Sequence, residues 1–427
     1  MRIAIVNWSR RELGGAESYL RTVIPELSRL GHEVALWTEL DQPVERARIP
    51  LPNGTHEWCA AEIGHERAVC ALRDWEPDLL YVHITTGPAV EEAVLDIAPA
   101  VLFAHAYYGT CVSGTKTFKH PQAVPCGRRF GWPCLLHYYP RRCGGLSPLT
   151  MIREYRRNVG RSDLLSAYRA IVTNSDHMRE EYVRHGIDPA SVHVVPLPIP
   201  SPPEARADGS GTDRHSGPVG SPARVAGSWN LLFAGRMDLL KGGRTLIEAL
   251  PMVLASLGGR LNVTFAGDGP DRAGWERLAA LARDRAGDDL AIRFVGWKSG
   301  EEMERLWAET DLLVVPSLWP EPFGLVGPEA GLRGVPAAAF AVGGIPDWLT
   351  DGVNGHLAPA EPPTAAGLAD AIVRCLRDPD TYGVLRRGAV HMARRFNRDV
   401  HLRALTKIFE DAVQDPRPGR LSPGTAS

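Results

Sequence analysis

At 427 residues, with 44% hydrophobic and 23% charged side chains, the chain is long and apolar enough for two globular cores. A formal net charge of −2 argues against a dedicated nucleic-acid binder, which needs a basic face for phosphate. No apolar run reaches the length of a membrane span and no signal peptide opens the chain, so a cytoplasmic protein is expected, at most peripheral at a membrane surface.

Residues 2–6 (RIAIV) predict a strand, followed by a loop with Gly14 and Gly15 and by a helix from about 16 to 30 that Gly31 stops. Residues 34–37 begin the next strand, and further strands are expected at 79–83, 101–105, 171–173 and 192–195. The stretch 196–228 is too rich in Pro, Gly and Ser to pack and reads as a linker. Strands then recur at 231–234, 263–266, 292–295 and 312–315. Strands alternating with helical patterns imply two βαβ sheets, hence an α/β protein of two Rossmann-like domains. The expected division is 1–200 with an insertion at about 106–161, a linker at 201–228, a second domain at 229–385, a helical segment at 386–414 packing back towards the first domain, and a frayed tail at 415–427.

The chemistry concentrates at strand ends. Glu321 and Glu329 frame EPFGLVGPE directly after the apolar run DLLVVPS, so the first leaves the carboxyl end of a buried strand and the second enters the next helix. Open α/β sheets bind ligands at that edge. Gly235, Arg236, Lys241, Gly242 and Gly243 lie in the loop after the strand at 231–234. Glycine admits close backbone approach and the two cations suit a diphosphate; the alternative is a Gly-rich turn with two solvated charges. A carboxylate can take both hydroxyls of a ribose or sugar, although a glutamate at a helix start can also merely complement the dipole. Backbone amides of Phe323, Gly324 and Leu325 offer room for a phosphate or a sugar hydroxyl.

GRMDLLKG, VTFAGDGP, VGW, DLLVVPS, EPFGLVGPEA and GVPAAAFAVGGIPDWLTDGVNGHL together resemble the carboxyl-terminal domain of retaining glycosyltransferases of the GT-B fold, glycosyltransferase family 4. MRIAIVNW, GGAESYL and IVTNSDHMREEYVRHGI are similar to the family's amino-terminal half. The resemblance implies two domains facing across a cleft and transfer of a sugar from a nucleoside-diphosphate sugar to a hydroxyl acceptor, in polysaccharide or glycoconjugate assembly, with retention and without a required metal. Domain closure would join donor and acceptor and exclude water. It further implies that Glu329 binds the ribose, Glu321 faces the transferred sugar, Arg236 and Lys241 neutralise the leaving diphosphate, and Gly15 packs against that diphosphate. His105, otherwise readable as a satisfied edge histidine, would contact the donor sugar. Residues 194–198 (VVPLP) depart from the family pattern and carry no implied role, and Asp347 stands where a glutamate is more usual. A catalytically inactive nucleotide-sugar-binding module, or an epimerase or phosphorylase on the same architecture, are the competing functions.

Cys111, Cys126, Cys134 and Cys143 crowd the insertion. A structural zinc ion, uncoordinated thiols and a redox pair are all open, since the spacing lacks a Cys-x-x-Cys knuckle. Arg128, Arg129, Arg141, Arg142, Arg153, Arg156, Arg157 and Arg161 face only Glu154 in the same stretch, interleaved with Phe130, Trp132, Tyr138 and Tyr139. A solvated face, an anionic acceptor and an acidic membrane surface each fit this belt.

Overall fold

The computed structural model describes residues 1–199 and 227–415. The expected linker stretch therefore lies outside the described residues except at its two ends, where Pro198 and Ile199 are buried and Ser228 already belongs to a strand, and of the expected tail only Asp415 is described. The described residues divide into two compact units: the first holds Met1–Lys116, Gly127–Leu197 and 398–415, the second Thr117–Cys126, 198–199 and 227–397.

Strands β1 (Arg2–Ser9), β2 (Glu33–Leu40), β3 (His56–Cys59), β4 (Leu79–Val82) and β5 (Ala100–Ala104) come first in the chain. A two-residue ladder, β6 (Thr117–Phe118) with β7 (Val124–Pro125), falls in the second unit; β8 (Ala170–Thr173) and β9 (Val192–Val194) complete the first. The first unit's sheet runs β3-β2-β1-β4-β5-β8-β9, all neighbours parallel. Strands buried on both faces read as unbroken apolar runs, and β4 and β5 are buried throughout.

The helix Gly15–Arg29 shows how sequence sets this packing. Tyr19, Leu20, Val23, Ile24 and Leu27 recur at helical spacing and are all buried against the sheet, each aliphatic one contributing roughly 1.5–3 kcal/mol. The helix ends before Gly31, which adopts φ +86°, as the sequence leads one to expect. Leu402, Leu405 and Phe409 of the terminal helix Arg398–Gln414 join the same core. The helix Pro379–Ala393 remains with the second unit, so the chain passes back into the first at Asn397–Arg398 rather than at 386.

In the second unit β10 (Ser228–Ala234), β11 (Arg260–Ala266), β12 (Leu290–Gly296), β13 (Leu312–Val315), β14 (Ala337–Phe340) and β15 (Gly355–Ala358) form a parallel sheet in the order β12-β11-β10-β13-β14-β15. Chain order reverses between β10 and β13, as it does between β1 and β4 in the first unit. Loops leaving the carboxyl ends of such a pair diverge to opposite faces and open a crevice, the usual ligand position of a doubly wound sheet. The loop at 235–243 and the stretch 316–325 leave β10 and β13.

Candidate active site

In the second unit the two loops are held together by backbone. Leu318 N–H donates to the Leu240 carbonyl at 2.7 Å, and Asp238 Oδ1 accepts from Leu240 and Lys241 N–H at 3.0 and 3.2 Å, forming the turn Leu239–Lys241. Gly242 follows at φ +69°, where a Cβ would stand 1.8 Å from the Pro316 carbonyl oxygen, so only glycine allows this approach. Lys241 is thereby aimed at the end of β13. Its Nζ donates to Glu321 Oε1 at 2.7 Å and lies 5.4 Å from the centroid of Trp319. Ser317 Oγ donates to the same carboxylate oxygen, and Glu321 is buried. A buried carboxylate needs such partners, since desolvation without them costs several kcal/mol, about 3–5 when one partner of a pair is removed. Gly343, at φ +57°, closes the arrangement: its Cβ would lie 2.3 Å from the Glu321 carbonyl, and Gly344 N–H donates to that carbonyl at 2.7 Å.

Arg236 differs from Lys241. It is largely exposed and among the described residues pairs with Asp238, at 3.7 Å, so its guanidinium stands at the loop surface and not in the carboxylate cluster. Phe323 is buried and its carbonyl accepts from Trp348 Nε1 at 2.6 Å; Gly324 turns at φ +88° over that indole. The N–H groups of Phe323, Gly324 and Leu325 donate to no described residue and precede the helix Val326–Leu332. Glu329 is half-buried in that helix's first turn. Burial pushes its carboxyl up to about 7, opposed by Arg333 and aided by Glu304. Arg333 brings limited relief because it is committed to the Glu304 carboxylate and, at 2.6 Å, to the carbonyl of Glu329 itself.

The first unit presents its own crevice at the β1/β4 reversal, a cavity of about 580 Å³ whose lining includes Gly14, Gly15, Thr85, Thr86 and Arg157. Gly15 is exposed at the start of its helix. Glu17 fixes the entry by accepting from Gly14 N–H and Trp8 Nε1, both at 2.9 Å. Thr86 N–H donates to Glu39 at 2.6 Å, and burial holds the Glu39 carboxyl above its ordinary range against those bonds. His105 lies just beyond β5 with Nε2 2.8 Å from Nδ1 of His83, and burial lowers it to about 3. It is a neutral ring with one nitrogen committed to a neighbour. His83, Thr85, Thr86, Ser317 and Trp348 were not singled out in the sequence, although Ser317 and Trp348 fall within the quoted family stretches.

The insertion is tied down by buried ion pairs. Lys116 meets Glu181, and Arg161 meets Glu91 at 3.2 Å while lying 3.7 Å above the Tyr108 ring, so Arg161 belongs to the interior and not to a solvated belt. The cysteines form no disulfide. Cys111, Cys134 and Cys143 make separate contacts, to Ser113, to the Arg129 carbonyl and to the His137 carbonyl. Among the described residues no three of His, Cys, Asp or Glu gather as a metal would require, so the zinc expectation finds no ligand set there. No helix among the described residues is long and apolar enough to cross a membrane.

The description "Glycosyltransferase Family 4" matches residues 13–201 and "Glycosyl transferases group 1" matches 229–378, between them most of the chain. The D-inositol 3-phosphate glycosyltransferase of Streptomyces bingchenggensis is 32% identical over 61% of this chain and 57% of its own length; that of Xylanimonas cellulosilytica is 31% identical over 64% of each. The chain thus spans less than two thirds of these curated relatives. Anabaena Alr3699/HepE, solved with UDP and glucose, has a TM-score of 0.63 at 19% identity, covering 96% of this chain and 100% of its own. Sucrose-phosphate synthase from Thermosynechococcus elongatus has 0.62 at 20%, covering 96% and 98%. Two Rossmann-type units with this likeness have the GT-B fold, and with both halves matched in order the chain belongs to glycosyltransferase family 4.

Proposed function

We propose that this chain is a retaining glycosyltransferase that moves a sugar from a UDP-sugar to a hydroxyl acceptor. The observation that carries the reading is the cluster at the β10/β13 reversal, where Lys241 meets Glu321, the amides at 323–325 follow in the same loop and Glu329 lies in the first turn of the next helix. In this reading Glu329 accepts both ribose hydroxyls, and Glu321 accepts from hydroxyls of the transferred sugar. Lys241 and Arg236, with the amides of Phe323, Gly324 and Leu325 and the backbone at Gly235, which turns at φ +156°, meet the charge that grows on the diphosphate as the glycosidic bond breaks. Fixed charges and dipoles do this better than reorganising water. His105, neutral and singly committed, is assigned to hydrogen bonding with the donor sugar and not to proton transfer, and Gly15 to close approach of the phosphates.

The choice of UDP is supported by the HepE complex with UDP and glucose, and the relatives' name makes a phosphorylated polyol the first acceptor to try. Thr85, Thr86 and Arg157 around the first unit's cavity supply hydroxyl and guanidinium groups suited to such an acceptor. A thermal-shift panel of UDP, GDP and ADP tests the donor assignment. UDP at a hundredfold its dissociation constant should add about 2.7 kcal/mol to stability. A shift by GDP or ADP alone would overturn the base, and no shift by any of them would overturn the reading.

A further inference from the structure

Of the seventeen large hydrophobic side chains exposed among the described residues, six fall within one short stretch: Trp132, Leu136, Tyr139, Leu146, Leu149 and Ile152. Scattered exposed hydrophobics are ordinary, but Leu146 at 83%, Leu149 at 80%, Trp132 at 67% and Leu136 at 64% are four of the five most exposed in the described chain. They are not loose ends. The helix Pro148–Leu164 is capped by Ser147 Oγ, which accepts from Thr150 N–H at 3.3 Å. Its inner side is anchored by buried Asn158, Arg161 and Leu164, and the Phe130 ring packs tilted against Tyr155 with centroids 5.4 Å apart. The turn before it folds onto the helix Pro133–Tyr138, with Cys143 N–H donating to the Tyr138 carbonyl at 2.9 Å. The outward side chains are therefore held outward by a folded scaffold.

Charge follows the same face. Arg128, Arg141, Arg142, Arg153 and Arg156 are exposed in the same stretch, with Glu154 the sole acid between 127 and 157, and Glu154 is already within 3.5 Å of Arg153 and Arg157. On the helix, Leu149, Ile152, Arg153 and Arg156 recur three and four apart, so apolar and basic groups share one outward stripe. We infer that this face, the helices Pro133–Tyr138 and Pro148–Leu164 with the turn joining them, docks on an anionic lipid bilayer. Leucine and isoleucine enter the acyl boundary, Trp132 and Tyr139 sit at the headgroups, and the guanidinium groups take lipid phosphate. A bilayer demands no shaped counterpart for side chains that project from two short helices and a turn, whereas a protein partner would. The inference goes beyond the transfer reading and does not rest on it.

Flotation of the full chain with vesicles tests it. Wild-type protein should float with equimolar phosphatidylcholine and phosphatidylglycerol at low salt and stay behind with phosphatidylcholine alone. Trp132→Ser with Leu149→Ser should weaken partition by at least about tenfold. Arg128→Gln, Arg142→Gln and Arg156→Gln should each weaken it about fivefold and reduce its salt dependence. Because all these side chains are exposed, thermal melting of the variants should match wild type. No partition of the wild type, or partition that ignores these substitutions, overturns the inference. So does a concentration-dependent dimer in sedimentation that Leu149→Ser abolishes without any vesicle binding, which would give the face to a second copy.

Discussion

Glu329 should make donor binding release a proton. In the free chain burial pushes this carboxyl up to about 7, so near neutral pH about half the molecules carry it protonated. Only the carboxylate can accept two ribose hydroxyls, and those bonds stabilise the charged form, so the group should return towards its ordinary range when donor is bound. From the free value of about 7, UDP-glucose should bind about tenfold more weakly at pH 6 than at pH 8, with the curve flattening above pH 8. UDP-glucose is the better probe because it lacks the terminal phosphate whose own titration would overlap. Calorimetry at each pH in two buffers of different ionisation enthalpy counts the proton directly. Glu329→Gln should abolish the proton release and weaken binding by about 1.5–3 kcal/mol. Affinity that is constant from pH 6 to 8, with no proton released by wild type, would refute the ribose assignment. The same group constrains stability. Its folded value lies above its unfolded 4.5, so its effect is absent below pH 4.5, grows as pH rises through 4.5 to 7, and above that leaves the free fold about 3 kcal/mol less stable. Glu329→Gln should accordingly raise the melting temperature of the free protein at pH 8 and hardly change it at pH 4.5.

Lys241→Ala should raise the transfer barrier by about 2–4 kcal/mol while donor affinity falls less, and equal turnover at saturating donor would remove Lys241 from the leaving-group site. Arg236→Ala, whose side chain stands in solvent before donor arrives, should leave the unfolding free energy of the free protein within about 0.5 kcal/mol of wild type while still lowering turnover. Gly343→Ala forces a side chain against the Glu321 carbonyl, so both melting temperature and UDP-glucose affinity should drop; unchanged values would mean the loop tolerates displacement. His105, held to about 3, and His401, to about 4, are neutral when folded and ordinary when unfolded, so each costs stability as pH falls below 6.5. Each contributes about 2 kcal/mol of loss between pH 6.5 and 5 by chemical denaturation, and His105→Asn should flatten that slope. A pH profile of turnover bearing a group near 6.5 that His105→Asn removes would contradict the neutral-ring assignment.

The parts of this protein legible in its sequence are those where one local force decides. β4, β5 and β13 are apolar runs buried throughout, Ile3–Val6 of β1 and Leu231–Phe233 of β10 are buried apolar segments of the same kind, and Gly31 and Gly242 mark turns that need positive φ. β14 escaped because Ala337–Phe340 is mostly alanine, a poor strand former that is accepted where neighbouring backbones pack closely. β3, an edge strand of four residues with exposed His56 and Glu57, carries no periodic signal. The Glu321 and Glu329 pair was visible because carboxylates beside a strand end need a reason, but their difference was not. Lys241 and Ser317 meet Glu321 through loops brought together at Gly242 and Gly343, whereas Glu329 is left desolvated because Arg333 is drawn to Glu304. Arg161 read as one member of a basic run, and only the partner seventy residues away, Glu91, turns it inward.

The most direct test of the account is the fate of an anomerically defined donor. Full-length protein, α-linked UDP-glucose and a phosphorylated polyol or a panel of glycan acceptors would be followed by proton NMR for UDP release and for the configuration of the new glycosidic bond. The account predicts UDP release matched by an α-linked product, with both lost in Lys241→Ala. A β-linked product, or a donor that stays intact with every acceptor and for every nucleoside diphosphate sugar tried, would contradict it.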